Sequence, residues 1–127
     1  MNLTGRIHEN CPVVRARVKE GVLIVRRAGP EELLVDTGFT GAIALPARLL
    51  SRLRLTFIAV DTFTLATGEA VDLPAYAGVV RIGRRRVRTW FIPGDLLIGT
   101  DFLRSVCSQL SLDFEADSVT LQFRATH

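Results

Sequence analysis

Apolar and polar residues alternate along much of the first third of the chain, which is the pattern of β-strands that bury one face. The alternation is clear over residues 13–19, and a run of β-branched residues follows at 22–27. The tripeptide Ala28-Gly29-Pro30 is typical of a turn and precedes a third apolar segment at 31–35. The pattern therefore predicts three short strands before residue 36.

The middle of the chain predicts a long hairpin followed by two further strands. Residues 57–66 and 70–82 are extended apolar runs, and Thr67-Gly68-Glu69 between them places a glycine at the hairpin tip. Residues 86–92 have the composition of another strand, and 96–98 form a short apolar run. We expect this half of the chain to be β-structure as well.

Two short helices interrupt the strands in this interpretation. The segment between residues 45 and 53 has leucines at helical spacing, and Pro46 fits the first turn of a helix. Thr100 is a suitable cap for a second helix that runs through Arg104. Asp101 would lie in its first turn, where the helix dipole favours an acid.

The chain ends in a predicted hairpin made of residues 109–114 and 119–123. Strand follows strand with only two short helices between them, so we assign an all-β fold, either a small barrel or a sandwich-like domain. A length of 127 residues suits one domain covering positions 1–127.

Composition adds information about assembly and location. The chain is 48% hydrophobic with a mean hydropathy of +0.28, which suggests apolar surface buried between subunits. It has no run of 18 apolar residues and begins without a secretory signal pattern, so we expect a cytoplasmic protein that does not associate with membranes. Cys11 and Cys107 lack metal-ligand spacing, and we expect both to be reduced. No metal or cofactor is predicted.

The basic residues are concentrated in one short segment. Fifteen of the sixteen are arginine, and the segment GRRRVR at 83–88 holds four of them. It fits a solvated hairpin turn at Gly83 or a phosphate-binding patch. We favour the turn, because no aromatic residue is interleaved for base stacking.

The segment LLVDTGFTG at 33–41 is the strongest candidate for chemistry. Three apolar residues without alternation predict a strand buried on both faces, and an acid follows directly at Asp36. Asp-Thr-Gly alone is common turn chemistry. Its companions in order along the chain are LP at 45–46, LATGEAVDL at 65–73, LLIGTDFLR at 96–104 and LDFEADSVTLQF at 112–123.

The order and spacing of these segments resemble the retropepsin-like aspartic proteases, in particular their short single-domain prokaryotic and cellular members. The resemblance covers residues 12–123 and implies a closed β-barrel with a flap hairpin, one catalytic half per chain. It implies that Asp36 is catalytic, that Thr37 hydrogen-bonds across to the other loop, and that Gly38 allows a tight turn. Phe39 after the motif departs from the small residue of viral members.

The chemistry of this class needs two carboxylates about 3 Å apart that share one proton. One acts as general base on a water molecule, and the other donates a proton to the scissile carbonyl. Because the chain has one Asp-Thr-Gly, the resemblance implies a symmetric homodimer in which each chain supplies Asp36. Asp61-Thr62-Phe63 is a poor rival, since Phe63 replaces the glycine. Asp95 and Asp101 are assigned structural roles, and pairing of Asp101 with an arginine across the dimer is a second option for that residue.

An extended peptide substrate would lie between the flap and the Asp36 loops and pair with strand edges. Residues expected to bind the substrate are Phe39, Ala66, Thr67 and Gly68. Weaker candidates for specificity pockets are Ile43, Val79 and Ile98. His8 and His127 are expected at the surface, without a catalytic role.

The predicted function is therefore an aspartic endopeptidase acting on peptides or unfolded proteins. One alternative is a non-catalytic dimeric module that kept the fold to bind peptides. Another is a nucleic-acid-binding barrel that uses residues 83–88, although we do not expect nucleic acid to be the partner.

Overall fold

The computed structural model describes residues 2–65 and 67–125. Within these ranges the chain forms eleven strands and two short helices. In chain order they are β1 Asn2–His8, β2 Cys11–Lys19, β3 Val22–Arg26, β4 Glu31–Val35, β5 Ile43–Leu45, α1 Ala47–Leu50, β6 Thr56–Thr64, β7 Ala70–Ile82, β8 Arg85–Pro93, β9 Leu97–Ile98, α2 Thr100–Val106, β10 Cys107–Asp113 and β11 Ser118–Phe123.

Seven of the strands close into a barrel. Strand β2 pairs antiparallel with β3 on one side and with β4 on the other. From β3 the pairing continues in parallel to β7, antiparallel to β8 and in parallel to β5. It then passes antiparallel to β9 and in parallel to β4, which returns it to β2. The all-β prediction is confirmed, and the fold is a closed barrel rather than a sandwich.

The remaining strands extend this barrel at two places. Strand β1 pairs with β2 on one edge and with β11 on the other, and β10 continues the sheet beyond β11. Strand β6 pairs with β7 alone. Within the described ranges, β6 and β10 therefore leave one full edge without a partner strand.

Aliphatic and aromatic side chains fill the barrel and form the core. In β2, the alternation of apolar and polar residues determines which side chains point into this core. Val14, Ala16 and Val18 are buried, as the sequence pattern predicts. The largest fully buried side chains include Leu23, Leu33, Ile43, Leu45, Ile82, Phe91, Ile98 and Phe102.

Both helices are present but differ from their predicted ends. Helix α1 has only four residues, and Pro46 is its N-cap rather than part of the first turn. Helix α2 begins after Gly99 and has no side-chain cap, so the capping role predicted for Thr100 is wrong. The Thr100 hydroxyl instead donates to the carbonyl of Phe39 at 3.3 Å. The helix extends two residues beyond Arg104 because Val106 is buried against the barrel.

Two strands have no counterpart in the sequence prediction. Strand β1 has few apolar residues, and of them only Leu3 is buried. Its Gly5 lies so close to the β2 backbone that a Cβ would overlap the carbonyl of Val13. Strand β5 has three buried residues, which is too short for any period to be recognised.

Candidate active site

Asp36 follows the last residue of β4, at the point where the barrel closes onto β9. Leu34 and Val35 pair in parallel with Leu97 and Ile98. The backbone N–H of Asp36 continues this ladder by donating to the carbonyl of Ile98 at 2.9 Å. Backbone pairing thus fixes Asp36 to β9 as well as to its own strand.

The Asp-Thr-Gly segment forms a tight turn that orients the Asp36 carboxylate. The N–H of Phe39 donates to the Asp36 carbonyl at 3.2 Å, and the N–H of Gly38 donates to Asp36 Oδ1 at 2.9 Å. Gly38 is not in the left-handed region, so its role is spatial. A Cβ at this position would lie 3.3 Å from Oδ1 and would press on the carboxylate.

The strand that leads to Asp36 is less buried than the sequence suggests. Leu33 and Val35 are buried, whereas Leu34 and Asp36 are half-buried. Among the described residues, Asp36 forms no ion pair and no side-chain hydrogen bond apart from the one to Gly38. The carboxylate is therefore oriented by the backbone and still open to a further partner.

The two segments LLVDTGFTG and LLIGTD cross and bond to each other. The N–H groups of Thr100 and Asp101 donate to the carbonyls of Phe39 and Gly41, at 2.9 and 3.2 Å. At the crossing, a Cβ on Gly99 would overlap the carbonyl of Gly41. Only glycine allows the two backbones to approach this closely. The structure thus brings together two motifs, at residues 33–41 and 96–101, that are far apart in the sequence.

Thr37 and Phe39 have different environments. Thr37 is exposed, and within the described chain its hydroxyl has no hydrogen-bond partner. Phe39 is half-buried and packs against a small apolar cluster beside the barrel core. The cluster consists of Phe39, Ala44, Phe63, Leu73, Ala75, Ile92 and Leu97. Phe39 therefore supports the loop from the side on which the β6–β7 hairpin lies.

The tip of the β6–β7 hairpin is a closed turn in solvent. The N–H of Leu65 donates to the Glu69 carbonyl at 2.8 Å, and the N–H of Gly68 donates to the Leu65 carbonyl at 2.9 Å. Gly68 has a φ of 87°, which explains why glycine is required there. Thr67 is exposed, and Ala66 lies outside the described residues. The long hairpin is confirmed, whereas its role as a flap stays a prediction.

The other acidic candidates occupy different settings. Asp61 lies inside β6 opposite Leu73, so Asp61-Thr62-Phe63 does not form an Asp-Thr-Gly-type turn. Asp101 lies in the first turn of α2, as predicted, and Asp95 is exposed before β9. No group of three potential metal ligands occurs among residues 2–65 and 67–125.

Residues 36–42, which connect β4 to β5, are called the Asp36 loop. A cavity of about 190 Å³ adjoins this loop. It is lined by Gly41, Ala42, Ile43, Asp61, Phe63, Ala75, Trp90, Ile92 and Asp101. Of the three candidates for specificity pockets, Ile43 lines it, Ile98 is fully buried, and Val79 does not contribute. The place of Asp61 and Trp90 in this site was not predicted, because they lie on β6 and β8, which are brought together only by the pairing of both strands with β7.

Two larger concavities, of about 790 and 850 Å³, lie away from Asp36. The lining of the first includes several basic residues, among them Arg17, Arg26 and Arg81. The second includes His8, whose Nδ1 lies 2.9 Å from Glu32 Oε1. His8 is exposed as predicted, and this partner was not foreseen.

The arginine-rich segment forms the turn between β7 and β8. Gly83 has a φ of 60°, and Ile82 pairs with Arg85 across the turn. The Arg85 guanidinium packs over the Phe123 ring at 5.7 Å and donates to the Val106 carbonyl at 3.4 Å. These contacts support the hairpin-turn interpretation of this segment.

Clear pKa shifts occur in one ion pair and at one residue of the core. A hydrogen-bonded ion pair with Arg48 lowers the pKa of Glu31, with an Nη2–Oε1 distance of 2.8 Å. Burial raises the pKa of the Cys107 thiol, while Cys11 is exposed. The two cysteines are not bonded to each other.

Compared with protein-family models, curated proteins and solved structures, the chain has no significant match. The described residues include no helix long and apolar enough to cross a membrane.

Proposed function

We propose that the protein is an aspartic endopeptidase that is active as a symmetric homodimer. The observation that carries the proposal is the Asp36 carboxylate. It is oriented by the Gly38 N–H in a loop bonded to β9, and it has no ion-pair partner among the described residues. The single chain supplies one such carboxylate, and a second copy would supply the other.

In the proposed mechanism the two Asp36 side chains share one proton across the twofold axis. The ionised carboxylate takes a proton from a water molecule, whose oxygen attacks the scissile carbonyl carbon. The protonated carboxyl donates its proton to the carbonyl oxygen. When the carbon–nitrogen bond breaks, the leaving nitrogen takes the proton that came from the water, and the shared proton returns to the pair.

Thr37 is proposed to stiffen this pair of loops. Its hydroxyl is exposed and makes no hydrogen bond in the described part of the chain, so it is free to bond to the partner subunit's loop. Gly38 leaves room for the carboxylate, as the 3.3 Å distance from its absent Cβ to Oδ1 indicates. The three residues of the motif thus have separate proposed roles in one catalytic loop.

The free edge of β10 is the proposed dimer contact. Strand β10 follows α2 directly, and the first turn of α2 is bonded to the Asp36 loop. Leu112 near its far end and Phe114 in the turn just after it are 44% and 73% exposed. Strand β1 is paired on both edges and offers no such edge. Antiparallel pairing of two copies of β10 would therefore extend both sheets across the twofold axis.

The β6–β7 hairpin is proposed to cover the substrate. Its inner residues Phe63 and Leu73 belong to the same apolar cluster as Phe39, which places the hairpin on the side of the Asp36 loop. An extended peptide would lie between them, with Phe39, Thr67 and Gly68 as the proposed contacts together with Ala66.

The test is cleavage of a diverse pool of unstructured peptides between about pH 3 and pH 7, with products identified by mass spectrometry. Asp36→Asn keeps the shape of the side chain but removes the shared proton, so we expect cleavage to disappear. Asp95→Asn makes the same charge change at an exposed site and should cleave like the wild type. Cleavage that persists in Asp36→Asn, or a folded dimer that cleaves nothing, would overturn the proposal.

A second candidate is a non-catalytic dimeric module that binds peptides. The hydrogen bond from the Gly38 N–H to the Asp36 carboxylate favours this candidate. Stabilising the turn in this way would by itself explain an aspartate at position 36, without any catalytic role. In that case wild type and Asp36→Asn should bind the same peptides with similar affinity, and neither should cleave them.

A further inference from the structure

The cavity beside the Asp36 loop combines apolar walls with two carboxylates. Phe63, Ala75 and Ile92 line it, and all three belong to the apolar cluster that contains Phe39. Asp61 approaches from β6 and Asp101 from the start of α2. The volume of about 190 Å³ is suited to one long side chain rather than to a whole ligand.

Neither carboxylate is neutralised within the described chain. Among residues 2–65 and 67–125 no ion pair includes Asp61 or Asp101, although the protein has an excess of basic residues. The described residues that line the cavity include no basic one. An apolar side chain entering it would bury surface next to two unpaired charges, and an acidic one would be repelled.

Trp90 adds a third feature that suits a cation. It lies on β8, lines the same cavity, and remains 44% exposed. The face of an indole ring attracts a guanidinium or ammonium group within about 6 Å of its centre. The indole ring and the two carboxylates therefore all favour a positively charged group in the cavity.

We propose that this cavity selects a basic side chain, arginine or lysine, in the peptide substrate. The aliphatic part of the side chain would pack against Phe63 and Ile92, and the charged end would reach Asp61, Asp101 and Trp90. Arginine should be preferred, because its planar guanidinium bonds to carboxylates in pairs and stacks on aromatic rings. The inference rests on the proposed function for its link to cleavage, but peptide binding tests it separately.

The cavity is joined to the catalytic loop by backbone bonds. Gly41 lines the cavity, and its carbonyl accepts the N–H of Asp101, which carries one of the two carboxylates. Gly41 is also five residues after Asp36 in the same loop. A basic side chain held in this cavity would therefore set the register of the peptide relative to Asp36.

The decisive measurement is binding of fluorescent peptides to Asp36→Asn protein, in which cleavage cannot interfere. The peptides form matched pairs that carry arginine or its neutral isostere citrulline at one position. We expect about tenfold tighter binding of the arginine peptide. Asp61→Asn and Asp101→Asn, each added to Asp36→Asn, should reduce this preference, and the double replacement should remove it. Asp95→Asn on the same background should leave it unchanged.

Cleavage profiles of otherwise wild-type protein supply the second readout. We expect basic residues to be enriched at one position relative to the cut, and Asp61→Asn to lower that enrichment while other cleavages continue. Asp61 is exposed on an edge strand, so its replacement should leave the barrel folded even if Asp101→Asn weakens α2.

The outcomes separate the two proposals. Preferential binding of arginine peptides without cleavage would support the cavity and overturn the protease. Cleavage without any preference for basic residues would support the protease and overturn the cavity proposal. Equal binding of arginine and citrulline peptides, unaffected by Asp61→Asn, would overturn the cavity proposal whether or not the protein cleaves.

Discussion

Asp36 and Gly38, two residues apart in one turn, constrain each other's position. The N–H donates to Oδ1, and the absence of a side chain on Gly38 leaves room for that oxygen. A sequence motif identifies such a turn from residue type alone. It does not reveal that Asp36 is only half-buried in a single chain, because that depends on what closes over the loop.

The two cysteines differ in environment, and thiol labelling should reveal the difference. Cys11 is exposed, whereas burial raises the pKa of Cys107 and hides its sulfur. Since the thiolate is the reactive form, we expect native protein to take up one iodoacetamide label quickly near pH 8, at Cys11. Denatured protein should take up two. Equal labelling rates in native protein would contradict the burial of Cys107.

The ion pair between Glu31 and Arg48 should make stability depend on pH. The pKa of Glu31 is lowered below its ordinary value of 4.5, so its contribution is present above about pH 4.5 and is lost as pH falls through the lowered pKa. We expect Glu31→Gln to reduce the urea midpoint near pH 7 and to have little effect near pH 2. Glu115→Gln, at an exposed turn, is the control and should change neither midpoint. A deficit of equal size at both pH values would rule out the ion pair as its cause.

At the scale of elements, the crossing of the Asp36 loop and the start of α2 depends on Gly99. A methyl group on Gly99 would collide with the carbonyl of Gly41, and backbone cannot move aside as a side chain can. We expect Gly99→Ala to lower the free energy of unfolding by about 3 kcal/mol and to impair peptide cleavage.

Gly94→Ala is the matched control for this experiment. A Cβ on Gly94 would lie 3.4 Å from the Ala44 side chain, which is ordinary contact. Urea denaturation of both variants checks the prediction. A Gly99→Ala protein as stable as Gly94→Ala would show that the two backbones do not cross as closely as described.

The sequence predicted most elements because their signals are local. The 31–35 strand and the second strand of the hairpin, 70–82, have their predicted bounds. Strand β1 was missed because its pairing with β2 and β11 comes from distant residues rather than from its own pattern. The prediction that Thr100 caps α2 was wrong for the same reason, since its hydroxyl bonds to the carbonyl of Phe39, which lies far away in the sequence.

At the scale of the whole molecule, two free strand edges compete to be the dimer contact. Strand β6 exposes Phe57, Ile58 and Val60. Leu112 near the end of β10 and Phe114 in the turn after it are also exposed. We propose β10, because α2 connects it to the Asp36 loop. Leu112→Lys combined with Phe114→Lys should therefore convert the dimer to a monomer and abolish cleavage, since lysines on a free strand edge oppose edge-to-edge pairing.

Ile58→Lys on β6 is the control, and it should leave the dimer intact. Light scattering coupled to size-exclusion chromatography measures the mass of each variant. A monomer produced by Ile58→Lys, with Leu112→Lys/Phe114→Lys still dimeric, would move the interface to β6. Wild type that is monomeric and cleaves peptides would refute the requirement for two copies of Asp36.

The sequence by itself determined the strand-rich class of this protein, most of its turns and the position of Asp36 at the end of an apolar strand. These features follow from side-chain periodicity and turn chemistry, which act between near neighbours. Tertiary structure alone decided which seven strands close the barrel, that Gly99 crosses the Asp36 loop, and that Asp61, Trp90 and Asp101 line one cavity. Those outcomes depend on backbone pairing and close packing between residues far apart in the chain, and no local pattern records them.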